Sequence, residues 1–204
     1  ALEFHQQALA ISRKINDKSN RARILNNIGV VYDRQGNYPQ ALEWNDQALA
    51  VSREVGDRFI ESRILSSIGV VYSNQGDYPQ ALEYYQLALT IRQEIGDKAG
   101  EAYTLNNIGA LRATQAEYGQ AREYYQQALT IRQEIGDRQG EATTISNIGQ
   151  IYWNQGQYPQ ALEYYQQALT MSRDIGDRPG VAGILSSIGG VYYSQGKYSQ
   201  ALEF

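Results

Sequence analysis

The sequence predicts an all-α protein, an α-solenoid of antiparallel helix A/helix B hairpins wound into a right-handed superhelix. Three observations carry this. The phrase ALEWNDQALAVSREVGD from Ala41 returns, lightly edited, from Ala81, Ala121 and Ala161, so the chain repeats itself every forty residues. A strict period of that size marks units that cannot bury an apolar face alone and must stack on their neighbours. Within each period apolar residues fall at helical spacing, and Gly, Asp and Pro punctuate the stretches between.

The elements follow in order. Residues 1–17 read as helix B of a truncated repeat, 18–57, 58–97, 98–137 and 138–177 as full repeats, and 178–204 as a truncated last one. All belong to one array over residues 1–204, expected to be a piece of a longer one. In the second repeat Ile64, Leu65, Ile68 and Tyr72 give helix A one buried face. Gly76 stands where a left-handed terminus is wanted, followed by Asp77 as a candidate N-cap and Pro79 in the first turn of helix B. Helix B is expected from about Tyr78 to Ile95, stopping at Gly96, with Asp97 capping the next helix A. Links this short make consecutive helices antiparallel neighbours.

The third repeat departs from its own pattern. Arg112 replaces the packing Tyr, Ala116 the turn Gly, Gly119 the Pro of helix B and Arg122 its Leu. Residues 111–122 are therefore expected to be the weak stretch of the array. Exposed apolar rows at the two ends, with Leu2, Phe4 and Leu9 at one and Val191, Tyr192, Tyr198 and Leu202 at the other, predict head-to-tail or swapped self-association.

Several function classes are excluded or disfavoured by composition. With 22 Asp+Glu against 18 Lys+Arg, the chain has no basic stripe of the kind a phosphate backbone requires, so nucleic acid is not an expected partner. No apolar run reaches the length of a membrane span and no signal segment opens the chain, so no membrane is expected and the cytoplasm is the expected compartment. There is no Cys and His5 is the single His, which leaves no metal-ligand set. Glu43, Glu83, Glu123 and Glu163 recur once per period, as a solvated face does and a catalytic dyad does not. Gly196-Lys197 is followed by Tyr198 where a phosphate loop needs Ser or Thr. No catalysis, cofactor or metal is expected.

The residues also carry a family resemblance. Leu25-Asn26-Asn27-Ile28-Gly29, Tyr32, Gly36, Tyr38, Ala41 and Ala48, with their counterparts along the chain, resemble the tetratricopeptide repeat. The period exceeds the roughly 34 residues usual there. It is similar to the long-repeat branch of the Pins/LGN proteins, kinesin light chains and bacterial multidomain arrays. Two features depart from the pattern: the Pro that often closes helix B is absent, and the last buried aromatic of helix B, Tyr85, Tyr125 and Tyr165, is His5 and Asn45 in the first two copies. The resemblance implies a protein or peptide partner held in a concave groove lined by the A helices.

Which residues line that groove follows from helical geometry. With about 100° per residue, Leu25, Gly29 and Tyr32 share one side with Ile28, while Arg23, Asn26, Asn27, Val30, Asp33 and Arg34 point away from it. Residues forty apart then form ladders. Arg23, Arg63 and Tyr103 begin one, continuing to Thr143 and Gly183, and Asn27, Ser67, Asn107, Asn147 and Ser187 form another. Gln150, Trp153 and Asn154 extend the polar face of the fourth repeat. Asn offers donors and an acceptor to a peptide backbone, and Arg23 and Arg63 suit acidic side chains. The expected peptide-binding set is therefore Arg23, Asn26, Asn27, Arg63, Tyr103, Asn107, Asn147, Gln150, Trp153 and Asn154, with an acidic peptide favoured. The alternative reading is a self-associating spacer or a regulatory array attached to an effector domain.

Overall fold

A computed structural model describes residues 2–204, and among these residues all regular structure is helical. The order is α1 (Leu2–Lys14), α2 (Lys18–Arg34), α3 (Tyr38–Glu54), α4 (Arg58–Gln75), α5 (Tyr78–Ile95), α6 (Lys98–Thr114), α7 (Tyr118–Ile135), α8 (Arg138–Asn154), α9 (Tyr158–Asp174), α10 (Arg178–Ser194) and α11 (Tyr198–Ala201). Helix B of the second repeat has the expected bounds, Tyr78–Ile95.

Each start and stop has a local cause. Asp57 caps α4 by accepting from the Ile60 backbone N–H at 3.0 Å, and Asp17, Asp77, Asp97, Asp137 and Asp177 do the same for the helices they precede. Such a bond satisfies one of the donors that every helix leaves orphaned at its start. Gly76 ends α4 in the left-handed conformation at φ 81°, and Pro79, with its missing N–H, sits in the first turn of α5 where no donor is needed.

The chain divides into two units, Ala1–Thr104 and Leu105–Phe204. In the first unit α2 pairs with α3 and α4 with α5, while α3 meets α4 and α2 also touches α4. Its core is Leu25, Ile28, Ile64, Leu65 and Ile68 with Ala48 and Ala88 at the helix crossings. In the second unit α8 pairs with α9, α7 packs on α8, and α10 packs on α9 and α8. Tyr125, Ile145, Ile148, Ile151, Tyr165 and Val191 fill its interior. Stacking of hairpins on neighbours, with no central core, makes each unit an α-solenoid.

The helices of a hairpin approach closely because glycine stands where a side chain would collide. A Cβ on Gly69 would lie 2.8 Å from the ring of Tyr85, the buried aromatic of the partner helix. The same arrangement recurs with Gly109 under Tyr125. Within the same hairpins aromatic pairs also join helix A to helix B: Tyr72 stacks on Tyr84 at 5.4 Å and Tyr152 on Tyr164 at 5.1 Å between ring centroids. Trp44 occupies the same row and packs, half-buried, against the core of the first unit.

The departures of the third repeat are visible. Ala116 takes the left-handed conformation at φ 60°. Arg112 binds Glu117 at 2.8 Å. Arg122 does not pair with Glu117 or Glu123, but donates to the Tyr152 hydroxyl at 3.3 Å with its guanidinium 5.6 Å over that ring.

Candidate functional site

The A-helix face of the first unit encloses the residues that the ladders single out there. A cleft of about 650 Å³ is walled by Asn27 and Asp33 of α2, by Arg63 and Val70 of α4 and by Tyr103 of α6, with Asn45 of α3 and Arg92 of α5 also on its lining. Beside it Arg23, Asn26, Asn27 and Arg63 meet around a recess of about 80 Å³. Arg23, Asn27, Arg63 and Tyr103 are exposed. Asn26 is not: it is buried, donating through Nδ2 to Asn45 Oδ1 at 2.9 Å, with Ser67 donating to its own Oδ1 at 3.5 Å. One step along a helix turns a side chain by about 100°, enough to send Asn26 inward while Asn27 stays outside.

The charges of this face are unevenly paired. Glu61, a natural partner for Arg63, is instead held by Arg53 at 2.9 Å and Arg58 at 2.8 Å. Asp33 accepts from Asn74 at 2.9 and 3.2 Å. Among the described residues Arg23 and Arg63 thus have no carboxylate partner. Arg92 is buried, its Nη1 donating to the Gly100 carbonyl at 2.7 Å and to the Thr104 hydroxyl. Burial pushes its guanidinium below the ordinary value, Asp97 and Tyr103 oppose that, and the nearby charge of Arg63 adds to it. Tyr103 lies under this guanidinium, 5.6 Å from charge to ring centroid. Burial raises the phenol of Tyr85, with the charges of Tyr103 and Asp33 contributing, which keeps it neutral.

In the second unit the predicted residues are largely engaged with each other and with neighbouring helices. Asn147 donates to Asn106 Oδ1 at 3.1 Å, and Gln150 donates to Asn154 at 2.9 Å while accepting from the Tyr165 hydroxyl at 3.1 Å. Asn107 is half-buried and its Nδ2 has no partner. Trp153, expected on the polar face, is half-buried, with its indole N–H donating to Ser194 at 3.1 Å. Its ring occupies the space over Gly190, where a Cβ would come within 3.0 Å of Cζ2. Burial raises the phenols of Tyr125 and Tyr165 from 10.0 to about 12, which keeps both neutral.

Ladder reasoning missed two members of the site, Asn45 and Arg92, because both lie on B helices. Their signals were in the sequence as broken rows: Asn45 where Tyr85, Tyr125 and Tyr165 stand, and Arg92 with Arg132 where Ser12, Ser52 and Ser172 stand.

The model of the tetratricopeptide repeat matches residues 1–54, 61–134 and 140–204. The chain belongs to the tetratricopeptide repeat family. No curated protein matches it in sequence. Among solved structures the tetratricopeptide array is similar to BtubC (BKLC) from P. vanneervenii, with a TM-score of 0.83 at 19% identity over 98% of this chain and 85% of that one. It is also similar to the Rap conjugation gene regulator of the plasmid pLS20 in complex with the Phr* peptide, with a TM-score of 0.77 at 18% identity over 94% of this chain and 53% of that one. The nearly identical repeats of a Podosopora anserina protein described as kinesin light chain match with a TM-score of 0.69 at 14% identity, over 91% of this chain and 92% of that one. The array spans about half the length of the pLS20 regulator. At these identities the likeness is one of fold.

Proposed function

We propose that this tetratricopeptide array is a protein-interaction scaffold and that its first unit binds an acidic peptide segment of a partner along the exposed face of α2, α4 and the start of α6. The observation that carries the reading is the pair Arg23 and Arg63. Both are exposed, both border the same recess, and the carboxylates within reach are committed elsewhere. Asn27, beside them, has amide groups free to hold a peptide backbone. Tyr103 supplies a half-exposed ring of the kind that anchors interfaces. The fold's likeness to a regulator solved with a peptide supports the same class of ligand. On the second unit Asn107, Asn147, Gln150, Trp153 and Asn154 form a separate set proposed to meet a peptide.

The array offers little for other classes. Among the described residues no group of three His, Asp or Glu is placed to hold a metal, and no helix is long and apolar enough to cross a membrane. The cytoplasm fits an acidic-peptide scaffold and remains part of the proposal. A self-associating spacer is the second reading, favoured by Phe4 at 74% and Leu202 at 89% exposure.

Capture of partners on the full array followed by peptide mapping tests the first reading. The double substitution Arg23→Glu, Arg63→Glu is expected to weaken the mapped peptide about tenfold and to flatten its salt dependence, since exposed pairs contribute on the order of 1 kcal/mol each and are screened. Unchanged affinity and unchanged salt dependence would remove the site from this face.

A further inference from the structure

In the first hairpin the buried aromatic is missing and an amide stands in its place. Asn45 aligns with Tyr85, Tyr125 and Tyr165, and like them it faces a helix A glycine: a Cβ on Gly29 would come within 2.8 Å of Asn45 Cγ. The side chain is fully buried, at 0% exposure. Its Oδ1 is occupied by Asn26, while its Nδ2 has no acceptor. A buried donor left without a partner costs roughly 1–3 kcal/mol, and folded chains keep few of them. Asn45 is nevertheless part of the lining of the cleft.

A second orphan faces the same space. Arg92 Nε is buried without a hydrogen-bond partner, 3.9 Å from Asp97 Oδ2, and Arg92 also lines the cleft. The two carboxylates of the cleft are already engaged, Asp33 by Asn74 and Asp97 by the Gly100 backbone N–H at 3.0 Å. Donors are thus in surplus: an amide N–H of Asn45, the Nε of Arg92 and the unpaired guanidinium of Arg63. The chemistry they lack is a compact anionic acceptor. A ring at position 45 would occupy the space between α2 and α3, as Tyr85 occupies it between α4 and α5.

We propose that the exchange of tyrosine for Asn45 turns the first hairpin into a specificity subsite, in which one side-chain carboxylate of the bound peptide is received by the Asn45 amide and the guanidinium of Arg63. The inference rests on the peptide-binding reading and narrows it: selectivity for an acidic residue comes from a single B-helix position in one hairpin, and the second hairpin of the unit, closed by Tyr85, reads the backbone. Arg63 delivers charge at the mouth, and Asn45 fixes the depth and direction at which the carboxylate stops. A carboxamide of the same shape would bring its own donors against donors and is disfavoured.

Asn45→Tyr is the informative variant because the chain already contains its product: in the third repeat Asn106 and Gly109 accompany Tyr125 as Asn26 and Gly29 would accompany the new ring. The variant should therefore fold, with an unfolding temperature no lower than that of the parent. Two measurements use it. In the first, N-acetylglutamate N-methylamide is titrated into the labelled full chain, with the glutamine analogue as control, while the side-chain amide resonances of asparagine are followed. The Asn45 pair is expected to shift saturably with the glutamate probe alone, and this shift to vanish in Asn45→Tyr and weaken in Arg63→Gln. In the second, a display library of random peptides is selected on parent and variant. The parent should enrich peptides with one fixed acidic position, and Asn45→Tyr should still select peptides but lose that preference by about tenfold, the worth of about 1.4 kcal/mol. An Asn45 resonance indifferent to the glutamate probe, or an acidic preference that survives Asn45→Tyr, overturns the subsite and leaves the peptide reading standing. A library that yields no peptide on either chain overturns both.

Discussion

Arg92 shows how one side chain dictates two others across a link. Its guanidinium reaches back over the start of α6, to the carbonyl of Gly100 and the hydroxyl of Thr104. A Cβ on Gly100 would stand 2.7 Å from its Nε. Arg132 repeats the bond to the carbonyl with Gly140, and Thr144 stands in the place of Thr104, whereas Ser52, which bonds only within its own helix, is followed by Ile60 and Ile64. Arg92 thus requires a small residue eight positions on, and a bulky one beside it should fail. Gly100→Ile alone is expected to destabilise by about 1–3 kcal/mol through overpacking. Combining it with Arg92→Ser and Thr104→Ile should recover at least about 1 kcal/mol, a coupling measurable by thermal unfolding, where 1 kcal/mol moves a chain of this size by about 2–4 °C. Strict additivity would mean that the junction does not depend on the match. This coupling was written in the sequence as a set of positions eight and twelve apart, but a reading by helix faces looks three or four residues away and passes over it. The inward turn of Asn26 was hidden for a related reason. It lies about 100° around α2 from Asn27, and the partner that receives it, Asn45, stands on the other helix.

The hairpin of α6 and α7 carries its irregularities together. Arg112 stands where Tyr72 and Tyr152 begin aromatic stacks, so Tyr124 has no ring to pair with in the row. Arg112 is held instead by Glu117, and a partly exposed ion pair contributes less than a buried ring. Ala116 sits at φ 60°, a conformation that costs a residue with a Cβ roughly 1 kcal/mol. Ala116→Gly should therefore stabilise the protein by up to about 1 kcal/mol, less the extra freedom glycine gives the unfolded chain. Amide hydrogen exchange should find residues 111–122 opening before the α8–α9 hairpin in the same unit, and uniform protection would contradict that. At this scale the sequence was nearly transparent. Gly, Asp and Pro at fixed offsets mark the ends of α4 and α5 because each answers a backbone requirement that no distant contact can alter. Partner choice was not transparent: Arg122 finds the hydroxyl of Tyr152 thirty residues on, in preference to the neighbouring carboxylates.

Across the whole molecule, apolar surface concentrates at the first and last helices. Phe4 and Ile11 of α1 are 74% and 58% exposed, and Tyr198 and Leu202 at α11 are 60% and 89% exposed. Their apolar counterparts in the full hairpins are half-buried or buried, so α10 of one copy, a helix A with only the first turn of its helix B, and α1 of another, a helix B without its helix A, offer the two halves of an ordinary hairpin, a heterologous contact that can propagate. Sedimentation at rising concentration should show growing species, and Leu202→Glu should shift the distribution toward monomer. A single monomeric species at millimolar concentration would rule the contact out. The covalent logic of the array has a mechanical side as well. Among the described residues side-chain bonds between helices join positions no more than 41 apart, so no such bond ties a remote part of the chain to another within either unit. A molecule drawn out by its two ends has no clasp whose release frees everything at once. It would yield one hairpin at a time, each surrendering forty residues and lengthening by roughly 130–140 Å at full extension, with the weakest turn giving way first and the others still bearing load.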